Sequence, residues 1–175
     1  MSRLFYALWP DADVVQALQP WVQRAHACCG GRPMRPDTLH LTLAFLGAVE
    51  ADLVPDLVAL LRSPRGPGGT LMLDRFGRFR GPRIVWAGPS AVAPWLLALH
   101  QSLWRDLAAL GLPGPDDTFR PHVSLLRKAG DGDLSALAPA RPIIWAAHRL
   151  VLVASTPRET GSYYQVLGEQ ALVSA

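Results

Sequence analysis

Two short stretches carry residue types able to do chemistry at a matching spacing: His40-Leu41-Thr42 in "LHLTLAFLG" and His122-Val123-Ser124 in "PHVSLLRKA". In an extended chain, residues two apart share a face. His40 and Thr42 therefore point one way, with Leu39, Leu41 and Leu43 pointing the other. His122 and Ser124 do the same against Val123 and Leu125. Facing each other across a cleft, the two stretches present two imidazoles and two hydroxyls. An imidazole titrates near neutral pH, so one can accept a proton from an attacking oxygen while the other gives one to a leaving oxygen. Hydroxyls can donate to the non-bridging oxygens of a phosphate. Arg127, three residues past Ser124, can add a fixed positive charge. The set suits phosphodiester chemistry run without a metal.

The same triplet type occurs in His100-Gln101-Ser102, but that stretch lies in a helical pattern, where residues two apart diverge by about 200°. His100 is read as a helix-surface residue. His26 and His148 have no partner pattern and read as structural. No His-x-x-x-His, Cys-x-x-Cys or clustered carboxylate pattern offers a metal site. No glycine-rich phosphate loop and no Gly-x-Ser-x-Gly elbow appears either. No cofactor is expected.

The elements that must position these residues repeat. "RLFYALW" from Arg3 reads as a strand, and a helix follows with Val14, Val15, Leu18, Trp21 and Val22 on one face, capped by Asp11 or Asp13. Gly30-Gly31 and Pro33 break it. The first histidine strand then runs from Leu39 to Leu46. A second helix spans Ala51 to Leu61, "SPRGPGG" is a loop, and "TLMLDRF" is a strand. "RIVWAG" from Arg83 opens the second half. Ser90 is placed to cap a long helix with Leu96, Leu99, Leu103, Leu107 and Leu110 at helical spacing, closed by Gly111. The second histidine strand follows, then "IIWAAHRLVLVAS" and "SYYQVLGEQAL" as the last strands. Strand, helix, loop and histidine strand thus occur twice. The expectation is a single α+β domain over residues 1–175, bilobal and pseudo-two-fold. Two largely antiparallel sheets face a central cleft, helices lie outside, and the lobes divide near residues 77–82.

A chain of 175 residues, 50% hydrophobic and 18% charged, can bury a sizeable core. No apolar run is long enough for a membrane span, and "LFYALW" is too short for a signal-peptide core. The adjacent Cys28 and Cys29 read as free thiols in a reducing compartment. A cytoplasmic protein is expected, acting as a monomer and away from membranes. The net charge is +3, with Lys128 the single lysine among 17 cationic residues. Arginine's planar fork suits phosphate oxygens and stacks on bases, although net charge alone is weak evidence for a nucleic-acid partner. "DRFGRFRGPR" interleaves Arg75, Arg78, Arg80 and Arg83 with Phe76 and Phe79. It reads either as an RNA platform or as a solvated loop with a buried aromatic.

With these residues in view, the chain resembles the two-histidine phosphoesterases. Within them it is most similar to the bacterial and archaeal RNA 2′,3′-cyclic phosphodiesterases, historically called 2′-5′ RNA ligases. The family mark, His-x-Thr/Ser-x twice, is matched by "HLTL" from His40 and "HVSL" from His122. "RLFYALWP" and "PRIVWAG" resemble the family's opening and middle strands. Two departures stand out: Ser124 where threonine is usual, and Ala44 where many members carry a longer polar side chain. The resemblance implies hydrolysis of a 2′,3′-cyclic phosphate at an RNA end to a 2′-phosphate. It implies His40 as proton donor to the leaving 3′ oxygen and His122 as proton acceptor from water. Thr42, Ser124 and Arg127 would hold the phosphate, and Phe45 would stack on a base. Strict alternation turns Phe45 away from His40 unless the strand bulges. Two alternatives remain open: a ligase joining 2′,3′-cyclic phosphate and 5′-hydroxyl ends, and an RNA-end-binding module without turnover.

Overall fold

The alternation along Arg3–Leu8 builds the first strand, β1. In the computed structural model, which describes residues 3–137 and 141–173, Leu4, Tyr6 and Leu8 enter the main core. Phe5 and Ala7 face the other side, in a smaller cluster with Val151 and Val153. That second face matters for function, because the histidines lie on it.

Helix α1 (Ala12–Cys29) follows and buries Val14, Leu18, Trp21, Val22 and Ala25 against the core. Asp11 occupies the cap position without a side-chain capping bond. Its carboxylate instead lies 3.2 Å from His148 Nε2, so the expected cap is an interelement contact. After the two-residue β2 (Arg32–Pro33) comes β3 (Leu41–Ala48), the first histidine strand. The expected second helix is a short α2 (Val54–Ala59) with a 3-10 turn at each end. The buried Tyr6 hydroxyl donates to the Leu57 carbonyl at 2.6 Å and ties α2 to β1.

Two of the expected strands break at corners. "TLMLDRF" divides at Asp74 into β4 (Gly69–Leu73) and β5 (Arg75–Phe79). "IIWAAHRLVLVAS" divides at His148 into β8 (Ile143–Ala147) and β9 (Arg149–Arg158). β4 and β8 pair with each other in a separate two-stranded sheet. Asp74 also explains why Ser90 caps nothing: Ser90 gives its backbone N–H and its hydroxyl to the Asp74 carboxylate, at 2.7 and 2.6 Å. Helix α3 (Pro94–Ala109) starts later, with Ala93 at its cap position and a proline in its first turn. Leu96, Leu99, Leu103 and Leu107 are buried as the periodicity requires, and the chain reverses at Gly111.

The remaining strands are β6 (Ile84–Gly88), β7 (Val123–Arg127) and β10 (Gly161–Ala171). The large sheet has the order β10-β9-β1-β3-β7-β6-β5, with β2 also on β7, and every pairing is antiparallel. Between β3 and β7 the ladder consists of one residue pair, Leu41 with Val123. The α+β architecture with antiparallel sheets and helices packed on the core is therefore found. Its two four-stranded halves touch at that pair, and the C-terminal β9 and β10 extend the half that holds β1. Among the described residues, no helix is long and apolar enough to cross a membrane.

Candidate active site

The pair Leu41–Val123 places the two histidine motifs. In an antiparallel ladder the residues flanking a pair lie beside each other, so His40 falls next to Ser124 and Thr42 next to His122. The two motifs cross head to tail at the joint between the half-sheets.

His40 immediately precedes β3. Its Nδ1–H donates to the Thr38 carbonyl at 2.7 Å, which fixes the tautomer and leaves Nε2 for chemistry. Nε2 lies 3.0 Å from Thr42 Oγ1. The ring stacks on Phe5 and on Trp9, with centroids 4.8 and 5.3 Å away, and meets Tyr164 edge-on. Burial in this apolar setting pushes the imidazole down to about 4, against the pull of the Thr38 carbonyl. His122 and Arg127 add to the downward push. In the free protein at neutral pH, His40 is therefore neutral and its Nε2 accepts from the Thr42 hydroxyl.

His122 repeats the arrangement on the other side. Its Nδ1–H donates to the Arg120 carbonyl at 2.8 Å, again two residues back. Phe79 meets its ring edge-on at 4.8 Å, and Trp86 lies at 6.1 Å. Burial lowers this imidazole too, opposed by the Arg120 carbonyl. It lines an open recess of about 620 Å³ with Phe79, Pro82, Asp116, Asp117 and Arg120. An imidazole with a lowered pKa and Nδ1 tethered, lining an open recess, has the form of a general base.

Both strands then bulge at the same step. On β3, Thr42 stands opposite Ala7 and Ala44 opposite Tyr6, so Leu43 is the extra residue. Leu43 and Ala44 are both buried, and Phe45, opposite Phe5, returns to the face of Thr42 and is 57% exposed. On β7, Ser124 stands opposite Trp86 and Leu126 opposite Val85, so Leu125 is the extra residue. Leu125 and Leu126 are both buried, and Arg127 comes back to the face of Ser124. Arg127 lies close enough to influence His40 and Tyr164. The bulge removes the conflict between Phe45 and simple alternation.

The arginine-rich hairpin is mostly scaffold. Arg78 donates to the Gly130 and Gly132 carbonyls and to Cys29 Sγ. Arg83, at a φ of 58°, holds the Lys128 and Ala129 carbonyls. Arg75 lies over the Trp86 ring, and Phe76 packs on Trp21. Phe79 reaches His122. Two of its four arginines, Arg78 and Arg83, thus clamp the segment that follows β7, while Arg75 and Arg80 are exposed. His100 stacks on Phe119 at 3.9 Å, away from the two motifs, and burial lowers it. Among the described residues, no three His, Cys, Asp or Glu side chains converge on one point.

Phe5, Trp9, Tyr164 and Trp86 shape the site but are not conspicuous in the sequence, whereas Phe79 belongs to the arginine-rich stretch singled out there. The alternation of Phe5-x-Ala7-x-Trp9 along β1 held a signal, since an aromatic face opposite an already complete core face needs a reason. Tyr164 gave none, because its place beside His40 depends on β10 pairing with β9 and β9 with β1.

The antiparallel α+β fold brings two His-x-Thr/Ser motifs together at the joint of two half-sheets, as the resemblance to two-histidine phosphoesterases implies. The model of the LigT-like phosphoesterases matches residues 8–86. An RNA 2′,3′-cyclic phosphodiesterase of Escherichia coli is 36% identical over 130 residues, covering 74% of each chain. One of Thermus thermophilus is 31% identical, covering 97% of this chain and 90% of its own. The crystal structure of E. coli LigT in apo form superposes with a TM-score of 0.84 at 31% identity, covering 99% of this chain and 98% of that one. The chain belongs to the LigT-like phosphoesterase family.

Proposed function

We propose that this protein hydrolyses 2′,3′-cyclic phosphate ends of RNA to 2′-phosphates, with His40 as proton donor and His122 as proton acceptor. The observation that carries the reading is the matched tethering of the two imidazoles. Each gives Nδ1–H to a carbonyl two residues back, which leaves Nε2 as the ring nitrogen for proton transfer. A phosphate lying between them meets the Thr42 and Ser124 hydroxyls and the Arg127 guanidinium. His122 takes a proton from water as the water oxygen bonds to phosphorus. The P–O3′ bond breaks, and His40 gives its proton to that oxygen. The phosphate keeps its ester to O2′. His40 must be charged for this step, and the bound phosphate anion supplies the field that raises it from its low free-enzyme value.

The relatives named RNA 2′,3′-cyclic phosphodiesterase support this reading over ligation or binding alone. A pure binding module needs no second titrating histidine. A relative's complex with 3′-AMP supports a nucleoside at the site, for which Phe45 offers an exposed aromatic face. The deciding experiment incubates the protein with an oligonucleotide ending in a 2′,3′-cyclic phosphate and identifies the product. A 2′-phosphate end is expected. An end that stays cyclic overturns the proposal, and a 3′-phosphate reverses the assigned leaving oxygen.

A further inference from the structure

Beside the candidate active site, and sharing Arg127 with it, lies a second pocket of about 100 Å³. Arg32, Arg35 and Arg127 line it, with Thr38, Thr160 and Gly161. We propose that this pocket binds the phosphodiester on the 5′ side of the terminal nucleoside, so that the enzyme prefers oligonucleotide ends to cyclic mononucleotides. The inference rests on the phosphodiesterase reading above and goes beyond it by naming a second subsite.

Four observations converge. Three arginines line a space a few water molecules in size, and their summed positive charge favours one small anion. Two of the three are held from behind. Arg32 donates to the Thr160 carbonyl, in the turn that joins β9 to β10, and Arg35 donates to the Ser162 carbonyl at 2.9 Å, at the start of β10. Each bond uses part of a five-donor group and leaves the rest for a ligand. The turn is shaped for this contact. Gly161 has a φ of 120°, and a Cβ there would lie 3.0 Å from the Arg32 guanidinium. Finally, the pocket touches the catalytic centre through two residues. Thr38 supplies the carbonyl that holds His40, and Arg127 sits on the cleft face after the β7 bulge. Asp37 is an exposed partner of Arg35 at 3.5 Å and Glu159 adjoins Thr160 in the chain, so the three arginines leave the cluster with a positive balance.

An RNA chain whose terminal phosphate lies at His40 and His122 offers its next phosphate a short step away. A phosphodiester there gains charge-assisted hydrogen bonds without any reading of base identity.

The test compares three substrates with one base: the nucleoside 2′,3′-cyclic phosphate, the same compound bearing a 5′-phosphate, and the dinucleotide ending in the cyclic phosphate. The dinucleotide should show a kcat/KM at least tenfold above that of the cyclic mononucleotide. Arg32→Gln and Arg35→Gln should each erase most of that advantage and leave the cyclic mononucleotide unchanged. A measurement on the unaltered protein guards against variants that disturb the β9–β10 turn. The salt dependence of log kcat/KM should be steeper for the dinucleotide by about 0.7, the slope of one single-strand phosphate contact. Equal efficiencies and equal slopes for mononucleotide and dinucleotide overturn the second subsite and leave the phosphodiesterase reading standing. An advantage as large for the 5′-phosphate monoester shows that any phosphate suffices and overturns the phosphodiester assignment. If none of the three is hydrolysed, the function and the subsite both fall.

Discussion

Phe45 stands to His40 as Arg127 stands to His122: each lies five residues past its histidine, and each is brought back to the histidine's face by one extra residue in its strand. Without the bulges, both side chains would point into the core. With them, each motif offers an imidazole, a hydroxyl and a third group, aromatic on one side and cationic on the other. Base-aromatic stacking is worth about 1–3 kcal/mol per base. Phe45→Ala should therefore raise KM roughly 5- to 150-fold for a nucleotide-ended substrate, with a much smaller change in kcat. Steady-state kinetics check this, and a kcat loss at unchanged KM would contradict the stacking role.

His40→Ala and His122→Ala should each lower kcat about 10²–10⁴-fold. The double variant should lose less than the product of the two, because the groups act as a unit. Binding of an uncleaved RNA end, followed by fluorescence anisotropy, should survive in both. His100→Ala should leave turnover near the original level.

Gly77 lies opposite Trp86 on β6, and a Cβ on it would fall 2.0 Å from the Trp86 ring. The indole lies flat across that position, only 7% exposed and next to His122. Gly77→Ala must therefore displace the ring or the strand. A drop in thermal midpoint together with reduced kcat is expected. A midpoint and kcat equal to those of the unaltered protein would show that Trp86 does not need this seat.

Proton linkage sets a stability trend. His40 is held near 4 by burial, against an ordinary value of 6.5, and His122 and His100 are lowered in the same direction. Between those values the unfolded chain binds protons that the folded chain refuses. The contribution is thus complete above pH 6.5 and is lost as pH falls toward 4. Urea unfolding at steps from about pH 7 to 4 should show stability declining, and His40→Asn should flatten the decline. An unchanged slope in that variant would place the effect elsewhere.

Much of this arrangement was legible in the sequence. The alternation around His40 and His122 predicts which neighbours are core, and Leu39, Leu41, Leu43, Val123 and Leu125 are all buried. The leucine spacing of α3 predicts its inner face. The corners at Asp74 and His148 were not legible, since neither carries glycine or proline and each depends on a distant partner: Ser90 for Asp74, Asp11 for His148. Bulges escape pattern reading for a similar reason. Two consecutive apolar residues, Leu43-Ala44 or Leu125-Leu126, fit a buried strand as well as a bulged one, and the opposing strand decides. The roles of Arg78 and Arg83 also lay beyond reach, because the carbonyls they hold belong to a segment some fifty residues away.

Excess chelator should leave the hydrolysis rate unchanged, since the proposed proton transfers use only side chains. Loss in EDTA with recovery on adding a divalent ion would contradict this.

The central claim, that one imidazole accepts and the other donates the proton, is tested most directly by the pH dependence of kcat/KM and kcat on a cyclic-phosphate-ended oligonucleotide. Below the lower pKa the acceptor is already charged, and above the higher one the donor is already empty, so the rate rises and then falls. Both free-enzyme imidazoles are lowered. The kcat/KM bell should therefore be centred below pH 6.5, and its limbs belong to the coupled pair. Bound phosphate favours the charged donor, so the alkaline limb of kcat should lie at higher pH than that of kcat/KM. Profiles flat from about pH 5 to 9, measured where the protein stays folded, would contradict histidine acid–base catalysis.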